Sequence, residues 1–268
     1  MRREEDPMQH VSHRAAPMNR MAAIAILAAA FGTPAHAAHP LLTEDTGTQG
    51  EGKYQLELMV DQTRDHEPGV TMRERVTTAV LSYGLMDDVD LQFGLPHARQ
   101  HLHAAAGRHA SQGVLDATVD LKWRFLEREA LSLGFKPGIT LPTGDKGHGF
   151  GTGRLTWGVL GILSYEPGDW AFHTHAGYRH NNNDVGQRIS LKHLSAAVTY
   201  KATEQLKLVA DLSADTNPDR ADRGSVRYRI LGLIYSPLPW LDLDVGWKHG
   251  HGRAAADRAF LIGAAMRW

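Results

Sequence analysis

The sequence predicts an all-β protein, an antiparallel transmembrane β-barrel of about 12 strands of the outer-membrane type. Three observations carry that expectation. Polar and apolar residues alternate at period two along almost the whole chain beyond residue 53, and no long segment reads better as a helix. The connections between these segments are short and long by turns. Aromatic residues gather at the ends that carry the short turns.

The N-terminal region sets the compartment. "MNRMAAIAILAAAFGTPAHA", Met18 to Ala37, has a positive Arg20, an apolar run from Met21 to Phe31, and then Ala35-His36-Ala37. This is the pattern of a secretory signal peptide, with cleavage expected after Ala37 or Ala38. The apolar run is too short for a membrane helix, and no later stretch reaches the roughly 20 apolar residues that one needs. Residues 1–17 precede the signal, so translation is expected to start at Met18. Residues 1–37 are therefore read as extension plus signal peptide, 38–52 as a polar periplasmic lead, and 53–268 as the barrel.

Composition narrows the function classes. Of the 268 residues none is cysteine, which excludes disulfides, thiolate catalysis and Cys-zinc sites. A formal net charge of −1 argues against a nucleic-acid partner.

In chain order, Tyr54, Leu56, Leu58 and Val60 alternate with Gln55, Glu57 and Met59. Val89, Leu91, Phe93 and Leu95 alternate with Asp90, Gln92 and Gly94. Leu115 to Phe125 is set against Asp116, Thr118, Asp120, Lys122 and Arg124, and Leu131 to Leu141 against Ser132, Gly134, Lys136, Gly138 and Thr140. Leu206 to Leu212 opposes Lys207 and Asp211, and Leu241 to Trp247 opposes Asp242, Asp244 and Lys248. Strands are expected near 53–62, 71–84, 88–96, 113–126, 130–141, 153–165, 169–180, 188–201, 204–215, 223–236, 239–249 and 257–268. Residues 71–84 are apolar on both faces. Between Leu191 and Leu194 the phase shifts, which predicts a bulge near Lys192-His193.

Short turns at 86–88, 127–130, 166–169, 202–205 and 237–239 alternate with links at 63–70, 97–112, 142–152, 181–187, 216–222 and 250–256. That parity is expected of short periplasmic turns and long external loops. Tyr83, Trp123, Phe125, Tyr165, Trp170, Tyr200, Tyr235, Trp240 and Trp268 would form one interfacial girdle. In "AFLIGAAMRW", Ala259 to Trp268, the residues Phe260, Ile262, Ala264, Met266 and Trp268 share an apolar face. Lipid would cover that face, and backbone pairing with the first strand would close the barrel. The terminal aromatic strand also resembles the signal read by the barrel insertion machinery.

"HPLLTEDTGTQGEGKYQLEL", His39 to Leu58, and "GFKPGITLPTGDKGHGFGTGR", Gly134 to Arg154, resemble the MetA-pathway of phenol degradation family of outer-membrane transporters. The resemblance runs from about His39 to Trp268. It implies an outer-membrane location and passive passage of a small solute, of aromatic or other kind, without cofactor or bond-making. Two readings stand beside it: a closed structural or interaction barrel whose His-containing loops bind a partner or metal, and an outer-membrane lipid hydrolase.

Three segments and one face bear on chemistry. Gly147, Gly149 and Gly151 look like a phosphate loop, but a strand follows them where such a loop needs a helix. His97, His101, His103 and His109 fall in one link and are candidate metal ligands, with no carboxylate among them. "GYRHNNND" has His180 and Asn183 in the places of a lipid-hydrolase pattern, but Asn182 occupies the position of its serine. An amide cannot be deprotonated and acylated as the nucleophilic hydroxyl is, so no enzymatic activity is expected. The lumen is the expected functional surface, lined by Asp116, Asp120, Lys122, Arg124, His173, His175, Arg179, Lys207, Asp211, Arg227, Arg229, Asp242, Asp244 and Lys248. About 12 strands lies between the eight that side chains can fill and the sixteen of open porins, so a narrow, partly obstructed passage is expected.

Overall fold

A computed structural model of the chain describes residues 39–105, 107–252 and 254–268. Residues 1–37, where a signal peptide is expected, lie outside the described residues.

Among the described residues thirteen strand segments form a single antiparallel sheet. They are β1 (Tyr54–Glu67), β2 (Val70–Met86), β3 (Val89–Ala104), β4 (Gly107–Val114), β5 (Ala117–Arg128), β6 (Leu131–Leu141) and β7 (Thr156–Tyr165). After these come β8 (Trp170–His180), β9 (Ser190–Lys201), β10 (Leu206–Thr216), β11 (Ser225–Leu238), β12 (Leu241–His251) and β13 (Arg258–Arg267). Each pairs with its chain neighbour, and β1 pairs with β13 from Gln55 opposite Arg267 to Arg64 opposite Arg258. The ring is closed. At the seam Tyr54 and Trp268 exchange both backbone hydrogen bonds, and their rings stack at 5.8 Å.

The barrel has twelve staves, because β4 and β5 share one. β3 pairs with β5 along Val89–Gly94 and with β4 along His97–Ala104. The link expected at 97–112 is thus a β-hairpin that continues the wall. Similarly β1 and β2 run on to a turn at Pro68-Gly69, so the link at 63–70 is tight. Alternation there is carried by charged residues rather than apolar ones, which hides it from a hydrophobic pattern.

Side chains follow the period. On β13, Phe260 and Ile262 are exposed on the outside, while Ala259, Leu261 and Gly263 are buried inside. The outward surface carries Leu58, Phe93, Phe135, Leu163, Leu208, Leu212, Leu231, Val245 and Phe260, all exposed. An apolar surface of that extent is stable only against lipid. Trp123, Tyr165, Trp170, Tyr200, Tyr235, Trp240 and Trp268 are exposed at the short-turn end as expected.

The expected bulge at Lys192-His193 is absent. The β8–β9 register runs unbroken through Tyr178 opposite Lys192 and Gly177 opposite His193. Leu191 is an inward residue, fully buried under the loops, and Leu194 an outward one on lipid. Two apolar residues on opposite faces imitate a phase slip when both faces meet apolar surroundings. The same condition explains β2, where Met72, Val76 and Val80 point inward and Ala79, Leu81 and Tyr83 outward. Register shifts occur instead at Gly84/Met86, Arg124/Leu126 and Tyr235/Leu238, all near short turns.

Candidate functional site

The lumen is occupied by the chain's own lead. Residues 39–49, expected in the periplasm, lie inside the barrel, and Leu41, Thr43, Glu44 and Thr46 are buried there. Leu41 packs on Ala197, Val209 and Ile234. Leu42 packs on Ile230, Ala259 and Leu261. Pro40 lies against the wall where Gly232 and Gly246 leave room; a Cβ on either would approach it to 2.6 and 2.7 Å. The leucine pair in "HPLLTED" is the signal for this placement: two adjacent leucines gain nothing from water but do fill an apolar strip of lumen.

Polar contacts hold the lead to the wall. The backbone N–H groups of Leu42 and Thr43 donate to the Asp211 carboxylate at 2.9 and 2.7 Å. That of Glu44 donates to His175 Nδ1 at 2.8 Å, and that of Thr46 to Ser164 Oγ at 3.1 Å. An isolated extended segment has no ladder partner, so wall side chains supply its acceptors. Glu44 is fully buried and forms ion pairs with Lys122 at 2.8 Å and Lys136 at 3.1 Å. Lys122 also reaches Asp45 at 3.1 Å. At the far end of the lead, His39 is bonded to Asp244 and stands 3.6 Å from Asp61, which pairs with Lys248 at 2.9 Å.

The lead divides the lumen in two. On the loop side lies a cavity of about 190 Å³ whose lining includes Leu41, Met59, Met72, Leu160, Val226 and Leu261. Asp120, Arg179 and Lys248 stand in the same cavity. On the short-turn side lies a polar chamber of about 270 Å³, lined by residues such as Asp45, Gln49, Glu57, Gln92, Asp242 and Arg267. The first is largely apolar and the second largely polar, with the lead between them.

Most of the expected lumen residues face inward. Asp120, Lys122, His173, His175, Arg179, Asp211, Asp242, Asp244 and Lys248 do so, and His173 bonds Ser164 at 2.8 Å. Lys207 has inward parity but is exposed at the short-turn mouth. Arg124 is at that mouth too, paired with Glu127 at 3.2 Å. Asp116 sits at the break between β4 and β5 and accepts from the Gly144 and Thr152 amides at 2.9 and 2.8 Å, tying down loop 142–155. That loop carries one 3₁₀ turn, Lys146–His148, and Phe150 folds inward onto Val76, Ala98 and Leu115. Beside it, Asp184 accepts from Lys146 at 2.9 Å and from Arg154.

Arg227 and Arg229 do not line the lumen. On β11 it is Val226, Tyr228, Ile230 and Ile234 that point inward, while both arginines share the outward face with Leu231, Leu233 and Tyr235. The reason is the lead, which makes this part of the lumen apolar and reverses the usual sense of the alternation. Sequence reasoning also missed His39, Glu44, Asp61 and Lys136, because their partners lie up to 205 residues away. The histidines at 97, 101 and 103 have outward parity on β3, whereas His109 pairs opposite Leu102 and so has the other parity. Among the described residues no group of His, Asp and Glu is arranged to hold a metal ion. His180 stacks on the Trp157 ring at 5.6 Å on the outer wall.

A closed antiparallel wall, apolar outside and plugged by polar and ionic contacts inside, defines a transmembrane β-barrel of the outer-membrane type. The chain belongs to the family described as "Putative MetA-pathway of phenol degradation", whose pattern matches residues 41–268. No curated protein matches it. The fold is similar to that of the COG4313 outer membrane channel from Pseudomonas putida F1, with 17% identity, 84% of this chain and 98% of that one covered, and a TM-score of 0.70. It is similar to the translocator domain of autotransporter NalP from Neisseria meningitidis, with 11% identity, 91% and 93% covered, and a TM-score of 0.55. The NanC porin aligns with 11% identity, 78% and 98% covered, and a TM-score of 0.53.

Proposed function

We propose that this barrel is a gated passage for small, largely apolar solutes, and that the lead is its gate. The observation that carries this reading is the stacking of an apolar cavity over a polar chamber, with residues 39–49 as the barrier between them. The barrier is a chain segment rather than a fused layer of wall side chains. Its main-chain bonds to the wall are those of the Leu42, Thr43, Glu44, Thr46 and Gln49 amides to wall side chains, so it can leave without unfolding the wall. An apolar solute entering from the loop side is desolvated against Met59, Met72 and Val226 before it meets the ion pairs of Glu44. Release into the polar chamber then follows displacement of the lead. The family membership and the likeness to a channel support this reading, and the aromatic-solute character suggested by the family's description fits the apolar lining. No bond-making role is proposed: His180 is committed to Trp157, and Asn182 supplies no hydroxyl.

The test is conductance in planar bilayers of the protein with and without residues 39–49, together with vesicle swelling in phenol. Removal of the lead should turn a small or flickering conductance into a steady larger one. A variant that folds but conducts no better would favour the second reading, a closed structural barrel, which the complete burial of Glu44 between two lysines favours in its turn.

A further inference from the structure

A band of arginines, with one histidine among them, crosses the outer face of the wall on the loop side of its apolar surface. Arg229 lies opposite His249, His249 opposite Arg258, Arg258 opposite Arg64, and Arg64 opposite Arg73. One rung nearer the short turns, Arg75 lies opposite Arg99. All six arginines are exposed on the outward face. The carboxylates of the same strands, Asp61, Asp65, Glu74 and Asp244, have inward parity. At this level these acids lie inside and the six arginines outside.

Among the described residues no acid forms an ion pair with this band; ion pairs form at Arg124, Arg154 and Arg267, but at none of the six. Asp257, just before β13, accepts the His66 amide at 3.1 Å. Like charges directly opposite on neighbouring strands destabilise a sheet. Three arginines abreast on β13, β1 and β2 therefore call for an anion from outside the chain.

Height identifies which anion. Arg258 stands ten residues along the chain from Trp268, and Arg64 ten from Tyr54. At a rise of about 3.3 Å per residue and a tilt of about 40°, the band lies about 25 Å above the aromatic girdle, which is the height of the apolar belt of such barrels. A second feature fixes the same boundary. β4 pairs only with β3, so the other edge of Gly107–Val114 is open within the sheet. An open edge cannot stand in hydrocarbon, so the bilayer core ends below the level where His97 meets Val114. Arg99, opposite Gln112, is just above that level. The band is also one-sided. On the opposite wall, the outward residues toward the loops are Trp157 and Tyr178, with Lys192.

We propose that this face binds the phosphate groups of the outer-leaflet glycolipid, lipid A, with its acyl chains against Leu58, Val60, Phe260 and Ile262 below. The inference rests on the membrane-barrel reading with the long loops outside, and not on passage of any solute. Arginine suits the role because its planar fork binds phosphate through two hydrogen bonds at once.

The test uses the full chain, folded in a phosphate-free detergent, and native mass spectrometry with diphosphoryl lipid A. Dephosphorylated lipid A and soluble glucosamine phosphate form the other two arms. The variant Arg64→Gln/Arg73→Gln/Arg258→Gln should bind diphosphoryl lipid A about a hundredfold more weakly, since each cation near a charged lipid surface contributes about a factor of five. Lys192→Gln, on the opposite wall, should bind it like the parent chain. If the triple variant lacks the heat-modifiable gel mobility of a folded barrel, Arg64→Gln alone should show about a fivefold loss. Unchanged affinity in these arginine variants overturns the proposal, as does equal binding of the dephosphorylated lipid. Equal binding of glucosamine phosphate also overturns it, since the site would then serve small anions without a membrane. A parent chain without heat-modifiable mobility would instead show that the barrel reading itself has failed.

Discussion

Ala264 and Ala265 are adjacent in the chain and differ in almost nothing except the face they occupy, so an arginine at each measures the wall directly. Ala264 lies between Leu58 of β1 and Leu243 of β12, both exposed on the outside. Ala265 lies between Glu57 and Asp242, on the inside, beside the polar chamber. A guanidinium at 264 would sit in the middle part of the apolar band, some six residues below Arg258, and no acceptor is nearby. The cost of such a charge near a bilayer midplane is about 2–4 kcal/mol. At 265 the same group opens on the polar chamber, beside the Asp242 carboxylate that already holds Arg267, so it should cost clearly less than at 264. The assay is equilibrium unfolding in urea from lipid vesicles, followed by tryptophan fluorescence and by heat-modifiable gel mobility. Equal destabilisation of Ala264→Arg and Ala265→Arg would refute the assignment of faces, and with it the closure of β13 on β1.

Three further outcomes are expected. Asp184 is held below the usual carboxylate range by its hydrogen bonds to Lys146 and then Arg154, so the clamp it makes between the two loops persists at neutral pH and is lost only as pH falls below that range. Pepsin cleavage in 142–155 should rise over that window, and Asp184→Asn should show the faster cleavage without the pH step; an unaltered step in that variant would remove Asp184 as its cause. A cysteine at Ala110, exposed on the β3–β4 hairpin, should label with an impermeant maleimide on intact cells, whereas one at Thr203, in a short turn, should not; the converse pattern inverts the orientation. Sequencing of the membrane-fraction protein should place its first residue after Ala37 or Ala38, and retention of Met18–Ala37 would sink the signal-peptide reading.

The wall was legible because a barrel strand answers to a two-residue period that needs no distant information. Phe260, Ile262 and Ala264 alternate with Leu261, Gly263 and Ala265 in the sequence itself, and hydrocarbon demands that every backbone group between them be paired. Hence the class, the closure at β1–β13 and the aromatic girdle could all be read from order alone. What order could not settle was the sign of the alternation wherever the inside is not water. Leu41 and Leu42 turn the lumen beside β10, β11 and β13 apolar, so Ile230 and Ile234 belong inside and Arg227 and Arg229 outside, although the pattern by itself permits either assignment. The hairpin at His97–Val114 and the turn at Pro68-Gly69 were hidden for the converse reason: above the bilayer both faces meet water, and charged residues carry no apolar period. The site was the least visible part. Glu44 finds Lys122 and Lys136, and His39 finds Asp61 and Asp244, only because a closed wall brings distant staves around one axis. Sequence therefore determined that a barrel forms, through local alternation, and tertiary closure alone decided what fills it and which charges face the lipid.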